Sequence, residues 1–129
     1  TIKKLSAATF DVSEYVVDIA KKEGICEGIN SLDGPISMHL ACHARAQNMG
    51  AKGAEMLRLI PDTRVAIVER CSGHGGSWGI MTENYEIALK VGKTAAKNVL
   101  QSGAPNIASE CPLAAEHLLQ GIEKQDAEA

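Results

Sequence analysis

The chain has 129 residues, 45% of them hydrophobic, which predicts a single domain with one ordinary hydrophobic core. Its formal net charge of -3 and its aromatic content of 3% argue against nucleic-acid binding, which needs basic residues for phosphates and aromatic side chains for bases. The sequence contains neither an apolar run near the roughly 20 residues that span a bilayer nor a signal-peptide pattern, so a cytoplasmic protein is expected.

The first predicted element is a helix over residues 12–22. Asp11 and Glu14 form a D-x-x-E capping box, in which the first carboxylate accepts a hydrogen bond from a backbone amide at the helix start. Phe10 and Tyr15 have the spacing of a hydrophobic staple, which sets the direction in which the chain enters the helix. A glycine two residues beyond this range provides the stop signal.

A Gly-Pro pair introduces the first predicted strand, in the stretch GPISMHLAC. Ile36, Met38 and Leu40 alternate with other residues, which is the pattern of a strand. This strand is expected to end at Cys42. The stretch GAEMLRLI then predicts a short helix, which is halted at Pro61.

The stretch TRVAIVER predicts a second strand, which leads directly to Cys71. Its near-continuous apolar run is expected for a strand that helices cover on both faces. After a glycine-rich loop, Thr82 is expected to cap a long helix, which the stretch SGAP closes. The apolar face of this helix is predicted to contain Tyr85, Ala88, Leu89, Gly92, Ala95, Ala96 and Val99.

The stretch NIAS predicts a third strand, and Pro112 suits the first turn of a last helix. Strands that alternate with helices favour right-handed crossovers, so the expected fold is α/β with three layers, a small and mainly parallel sheet flanked by helices. The carboxyl ends of parallel strands share one edge, where such sheets bind ligands. Cys42, Cys71 and Cys111 each lie at or just beyond a strand end, so the three thiols are predicted to converge.

The converging thiols and the histidines near them form a candidate metal site. Thiolates are soft ligands for zinc and iron, and a helix N-terminus, such as the one predicted at Cys111, favours the deprotonated thiol. His74 follows Cys71 at C-x-x-H spacing. His117 on the last helix can reach back over Ala114 toward Cys111, because helical side chains lean toward the N-terminus. Three cysteines and one histidine complete a tetrahedral zinc shell, or provide iron with one unusual ligand.

Other interpretations compete with a metal site. Free cysteines are among the most buried residue types, so each thiol is also a candidate core residue. This applies most to Cys26, which lies in a polar connector away from the predicted edge. His39 is expected to be structural, and His43 is expected to lie in a loop or to support the site from behind. Cys71 with His74 could also form the nucleophile and base of a cysteine hydrolase, but no Asp or Asn is clearly placed to orient the pair.

Three stretches resemble the cysteine-rich CCG-type domain of the family that includes heterodisulfide reductase and anaerobic glycerol-3-phosphate dehydrogenase subunits. They are HLACHARAQNMG, ERCSGHGGSWGIMTENYEIALKVG and SECPLAAEHLLQGI, and the likeness covers residues 11–122. The resemblance implies that the domain holds an iron-sulfur cluster that passes electrons. It also implies an electron-transfer module of an oxidoreductase complex rather than an independent catalyst.

The resemblance assigns ligand positions to this sequence. Cys42 matches a cysteine after one strand, Cys71 the first residue of a Cys-Cys-Gly motif, and Cys111 the first residue of a Cys-x-x-Cys motif. Ser72 and Ala114 stand where the family pattern has further cysteines. Three of five thiols therefore remain, and a five-cysteine cluster cannot form with all its usual ligands.

Three hypotheses follow from this incomplete set. The three cysteines can hold a simpler iron-sulfur cluster such as 4Fe-4S, with His74 or His117 completing the shell. The same residues can bind zinc for a structural purpose, or the site can have decayed and left a metal-free docking domain. In the first case, the backbone amides of Gly73, Gly75 and Gly76 are candidates to donate hydrogen bonds to sulfur.

The resemblance also implies how the domain is used. The single cysteine-rich domain over residues 1–129 is expected to be the carboxyl-terminal domain of a longer protein. Its expected partners are other subunits or domains of an oxidoreductase complex. Any association with the inner membrane is expected to be peripheral and to occur through such a partner.

Overall fold

The computed structural model of the protein describes residues 1–128. Its helices are α1 (Ile2–Ala7), α2 (Val12–Glu23), α3 (Cys42–Ala46), α4 (Lys52–Leu57), α5 (Tyr85–Ser102) and α6 (Pro112–Glu128), and a 3-10 helix covers Trp78–Ile80. Its strands are β1 (Ile36–His39), β2 (Val65–Val68) and β3 (Asn106–Ser109). Within this part of the chain, no helix combines the length and the apolar composition needed to cross a bilayer.

The three strands form one parallel sheet in the order β2-β1-β3. His39 at the end of β1 lies level with Val68 of β2 and with Ser109 of β3. The chain moves from β1 to one neighbour and later returns to the opposite side, so the strand order reverses at β1. The predicted parallel sheet is confirmed, and its carboxyl edge contains the kind of point at which open α/β sheets bind ligands.

Helices cover the two faces of the sheet, which confirms the predicted three layers. On one face, Met38 and Leu40 pack with Ala54 of α4. On the other face, Val68 packs against α5 and α6 in a cluster with Ala95, Ala96, Val99 and Leu118. Because side chains alternate between faces along a strand, the central strand β1 is enclosed from both sides, and all four of its residues are buried.

Strand β2 is more exposed than its apolar run predicts. The expectation that helices cover both of its faces is wrong, because Ala66 is exposed and Ile67 has a relative exposure of 39%. β2 lies at an edge of the sheet, and the apolar cluster that contains Ala54 of α4 packs against Val65 rather than Ile67. The position of a strand in the sheet is therefore what decides its burial.

Helix α5 buries the apolar face that its sequence predicts except for Tyr85, which is only partly buried. Its buried residues are Ala88, Leu89, Gly92, Ala95, Ala96 and Val99. The expectation that Thr82 caps the helix is wrong, because Asn84 occupies the N-cap position. The Asn84 side-chain amide donates a hydrogen bond to the carbonyl of Trp78 at 3.1 Å. Residues 82–84 form a turn instead, so α5 begins at Tyr85.

Helix α2 has the Asp11 cap and the staple that its sequence predicts, but Glu14 makes no side-chain hydrogen bond that would complete the capping box within residues 1–128. The Asp11 carboxylate accepts hydrogen bonds from the Ser13 hydroxyl at 2.6 Å and from the Ser13 amide at 2.9 Å. These bonds hold the pKa of Asp11 below its usual value. The rings of Phe10 and Tyr15 lie 6.4 Å apart, and the helix ends at Gly24, whose φ is 81°.

Candidate metal centre

A cavity of about 240 Å³ lies at the carboxyl edge of the sheet. Its wall is formed by Ala41, Cys42, His43, Cys71, Ser72, His74, Gly75, Gly76 and Cys111. The three cysteines that follow the three strands therefore line one cavity, although they are far apart in the sequence. Parallel strands bring them together because the segments that leave their carboxyl ends all emerge at the same edge.

Each cysteine reaches the cavity from a different segment. Cys42 is the first residue of α3, and Cys71 lies in the loop after β2. The carbonyl of Cys111 accepts the amide of Ala115 at 3.0 Å, which makes Cys111 the N-cap of α6. Cys42 and Cys71 are exposed and Cys111 is partly buried, and all are free thiols. Cys26 lies elsewhere, in an apolar groove beside α2 and α4.

His74 provides a nitrogen donor on the same wall. Its Nε2 lies 3.9 Å from the sulfur of Cys111, and its Nδ1 lies 2.7 Å from the hydroxyl oxygen of Ser72. Burial lowers the pKa of His74, and the neighbouring His117 and His39 lower it further. The ring is therefore neutral near pH 7. When Nδ1 donates its proton to Ser72, the lone pair of Nε2 is free for a metal.

His117 lies behind the cavity wall. It has a relative exposure of 3%, and its ring centroid is 6.5 Å from that of His74 and 6.2 Å from that of Tyr85. Neither ring nitrogen has a hydrogen-bond partner within the described part of the chain. The imidazole lies beside Gly92 of α5, where an added Cβ would be 3.6 Å from its Cδ2, an ordinary contact distance. His43, by contrast, is exposed at the rim and belongs to α3.

The glycines of the loop have two different roles. Gly75 and Gly76 line the cavity with φ values of 55° and 64°, a backbone region that favours glycine. Gly73 instead packs against α5, where an added Cβ would lie 2.2 Å from the carbonyl oxygen of Ala88. A Cβ on Gly92 would likewise lie 2.1 Å from the carbonyl oxygen of Ser72. The loop and the helix are therefore in direct backbone contact.

Two polar residues that the sequence did not assign to the site lie beneath it. His39, with a relative exposure of 1%, has Nδ1 at 3.0 Å from the hydroxyl of Ser109 and Nε2 at 2.9 Å from the carbonyl of Arg70. Glu110 accepts the amide of Ala41 at 3.3 Å through Oε2. Their positions could not be read from the sequence, because each contact joins segments that only the sheet brings together.

The donor set can be tested against the metals that it could hold. Among residues 1–128, no three His, Cys, Asp or Glu side chains lie close enough together to bind a single ion. A zinc ion needs four donors, each about 2.0–2.3 Å from one point. A cluster takes its thiolate ligands at separate iron atoms, so its donors stand further apart. Three sulfurs and one nitrogen line a cavity of about 240 Å³, and these donor types fit both an iron-sulfur cluster and zinc.

No protein-family model matches the chain, and no solved structure matches it significantly. The chain is similar to a subunit of the dihydromethanophenazine:CoB–CoM heterodisulfide reductase of Methanosarcina acetivorans, with 29% identity over 117 residues, or 85% of this chain and 28% of that protein. It is similar to a subunit of the anaerobic glycerol-3-phosphate dehydrogenase of Escherichia coli, with 26% identity over 69% of this chain and 23% of that protein.

A third relative is an iron-sulfur protein of Methanocaldococcus jannaschii, with 28% identity over 69% of this chain and 18% of that protein. The alignments thus cover about a quarter, or less, of the length of each of these relatives. Together they support the resemblance to the cysteine-rich CCG-type domain that the sequence motifs indicate.

Proposed function

We propose that this chain is an electron-transfer domain that binds an iron-sulfur cluster at the carboxyl edge of its sheet. The observation that carries this proposal is the convergence of Cys42, Cys71 and Cys111 on one cavity. The relatives add support, because one is named as an iron-sulfur protein and two as subunits of a reductase and a dehydrogenase. The cofactor supplies one-electron chemistry when it is bound, and the protein supplies the ligands, their order and their access to solvent.

His74 is the fourth ligand in this proposal. Its Nε2 lies 3.9 Å from the sulfur of Cys111, whereas His117 is buried behind it and does not line the cavity. A neutral imidazole in place of a thiolate removes one negative charge from the ligand shell. Fewer negative ligands favour the reduced state, so the midpoint potential should be higher than with four cysteines.

The surrounding backbone tunes the same centre. Gly75 and Gly76 line the cavity, and their amides are the proposed donors of hydrogen bonds to sulfur. Gly73 is also a candidate from the sequence, but its place against α5 leaves it outside this cavity wall. Cys111 lies at the N-terminus of α6, where its carbonyl accepts the amide of Ala115.

The domain acts within a larger assembly in this proposal. Two of the relatives are named as subunits, and this chain matches about a quarter of each or less. Residues 1–129 then form one cysteine-rich module in the cytoplasm, whose partners are other subunits or domains of an oxidoreductase complex. Contact with a membrane occurs through such a partner. The module relays electrons and does not catalyse a reaction on a substrate of its own.

Elemental analysis of protein purified without oxygen tests the proposal. We expect iron and acid-labile sulfide in near-equal amounts, with a brown colour that Cys71→Ala abolishes. Cys26→Ala is the matched control, since Cys26 is an exposed thiol outside the cavity, and it should keep the colour. A finding of zinc without sulfide would indicate a structural zinc site instead of a cluster. A chain that takes up no metal, even after reconstitution with iron and sulfide, would leave only the docking role.

A further inference from the structure

The buried His39 connects the carboxyl ends of all three strands. It belongs to the central strand β1, and its two ring nitrogens contact the segments that leave the neighbouring strands. On the β3 side, Nδ1 lies 3.0 Å from the hydroxyl oxygen of Ser109. On the β2 side, Nε2 lies 2.9 Å from the carbonyl oxygen of Arg70. One side chain thus spans the sheet directly beneath the cavity.

The chemistry of the partners fixes where the protons of this network lie. A carbonyl oxygen can only accept, so Nε2 of His39 carries the proton that it donates to Arg70. Burial lowers the pKa of His39, so the ring is neutral and Nδ1 is an acceptor. The hydroxyl of Ser109 then donates to Nδ1. The same oxygen accepts the backbone amide of Cys111 at 3.4 Å. Every donor in the network therefore has an acceptor.

The network has two arms, one through Arg70 and one through Ser109, and each arm ends at a proposed ligand. Arg70 is the residue before Cys71, and its carbonyl belongs to the same peptide unit as the Cys71 amide. Ser109 holds the amide of Cys111 itself. We propose that His39 is a positioning residue of the metal centre, which sets the separation of Cys71 and Cys111 by holding both backbone segments at once. This inference rests on the function proposed above.

A purely structural need for a polar residue in β1 does not explain these contacts. Ser37 lies two residues before His39 on the same face of the strand and is equally buried. Its hydroxyl nevertheless has no hydrogen-bond partner within the described residues. The sheet therefore accommodates a polar side chain that bonds to nothing, whereas His39 is bonded on both sides. Ser37→Ala is accordingly a matched control for substitutions at His39.

Two conservative variants separate the two arms. The amide of glutamine extends to about the position of Nε2, so His39→Gln keeps a donor for the Arg70 carbonyl and loses the contact with Ser109. The shorter amide of asparagine reaches about the position of Nδ1, so His39→Asn keeps an acceptor for Ser109 and loses the contact with Arg70. Ser109→Ala removes the Cys111 arm alone. NMR of the full chain without metal follows each arm separately, through the backbone amide signals of Cys71 and Cys111.

We expect the Cys111 amide to exchange with solvent about fivefold faster in His39→Gln and in Ser109→Ala, the factor for one ordinary hydrogen bond. The chemical shift of the Cys71 amide nitrogen should change in His39→Asn and stay the same in His39→Gln and Ser109→Ala. Ser37→Ala should change neither signal. Unchanged signals in both His39 variants would overturn the inference, and circular dichroism identifies any variant that fails to fold.

The reconstituted protein provides the readout that a merely structural role would not move. His39→Gln and His39→Asn should change the electron paramagnetic resonance spectrum of the reduced cluster relative to Ser37→Ala, at equal secondary-structure content. An identical spectrum in all variants would mean that His39 does not position the centre. If the unmodified chain takes up no metal, the proposed function fails, and the NMR result without metal still decides whether His39 holds the two cysteines.

Discussion

At the scale of single residues, the site combines groups that differ in how they could be recognised. His74 was visible in the sequence because it follows Cys71 at a spacing typical of metal ligands. His117 had a comparable rationale, since a helical side chain leans toward the N-terminus. The structure separates the two histidines by burial, with His74 on the cavity wall and His117 behind it. The spacing of residues along the chain does not show how deeply each side chain is buried.

The distinction between the two histidines makes a prediction about the cluster. His74→Ala should lower the iron content and alter the spectrum of the reduced cluster, because it removes the nitrogen beside Cys111. His74→Cys should keep the iron but lower the midpoint potential by on the order of 100 mV, since a thiolate adds negative charge. His117→Phe is the control, and it should preserve both properties. Loss of iron in the phenylalanine variant alone would reverse the assignment.

Among the helices and strands, the apolar periodicity of the helices was the reliable guide, and cap signals were correct for α2 but not for α5. The apolar face of α5 and the cap of α2 followed from spacings of three and four residues, which belong to the helix itself. The start of α5 did not follow, because both Thr82 and Asn84 precede an amphipathic run. The short 3-10 helix before α5 decides between them through the contact of Asn84 with the carbonyl of Trp78.

The close contact between the glycine loop and α5 makes a prediction about stability. Gly92→Ala should lower the free energy of unfolding by about 1–3 kcal/mol, because its Cβ would overlap the carbonyl of Ser72 and force the loop away. Gly121→Ala in α6 is the matched control, since the nearest atom to its added Cβ is 3.4 Å away. Alanine is the better helix former, so this control should be neutral or stabilising.

Urea unfolding of the metal-free chain measures both glycine variants. Because Ser72 contacts His74, the alanine at position 92 should also impair cluster uptake, whereas the alanine at position 121 should not. Equal stability of the two variants would mean that the loop moves away from α5 at little cost.

For the molecule as a whole, one buried and one partly buried histidine couple folding to pH. Burial lowers the pKa of His39 and of His74 in the folded chain, while unfolded histidines titrate near 6.5. For His39, the nearby Glu110 opposes this effect and Arg45 adds to it. The unfolded chain therefore binds more protons than the folded chain in the window below 6.5. The stability that the neutral rings contribute is complete above this window and is lost as the pH falls through it.

We expect the free energy of unfolding of the metal-free chain to fall by up to about 1.4 kcal/mol per pH unit for each of these histidines below pH 6.5. Urea titrations from about pH 8 to about pH 5 measure this slope. His39→Gln should reduce the slope and leave the part that belongs to His74. A slope that is the same in both proteins would show that His39 titrates normally in the folded chain.

The parallel sheet, the helices α2, α4, α5 and α6 and the edge at which the cysteines meet followed from the sequence, whereas the short helices α1 and α3 did not. These features follow from local patterns and from the handedness of strand crossovers, which depend on short stretches of chain. Tertiary structure alone decided the exposure of Ile67, the depth of His117 and the two contacts of His39. Each of these depends on which strand is central and on the register between strands, and such long-range packing leaves no local pattern in the sequence.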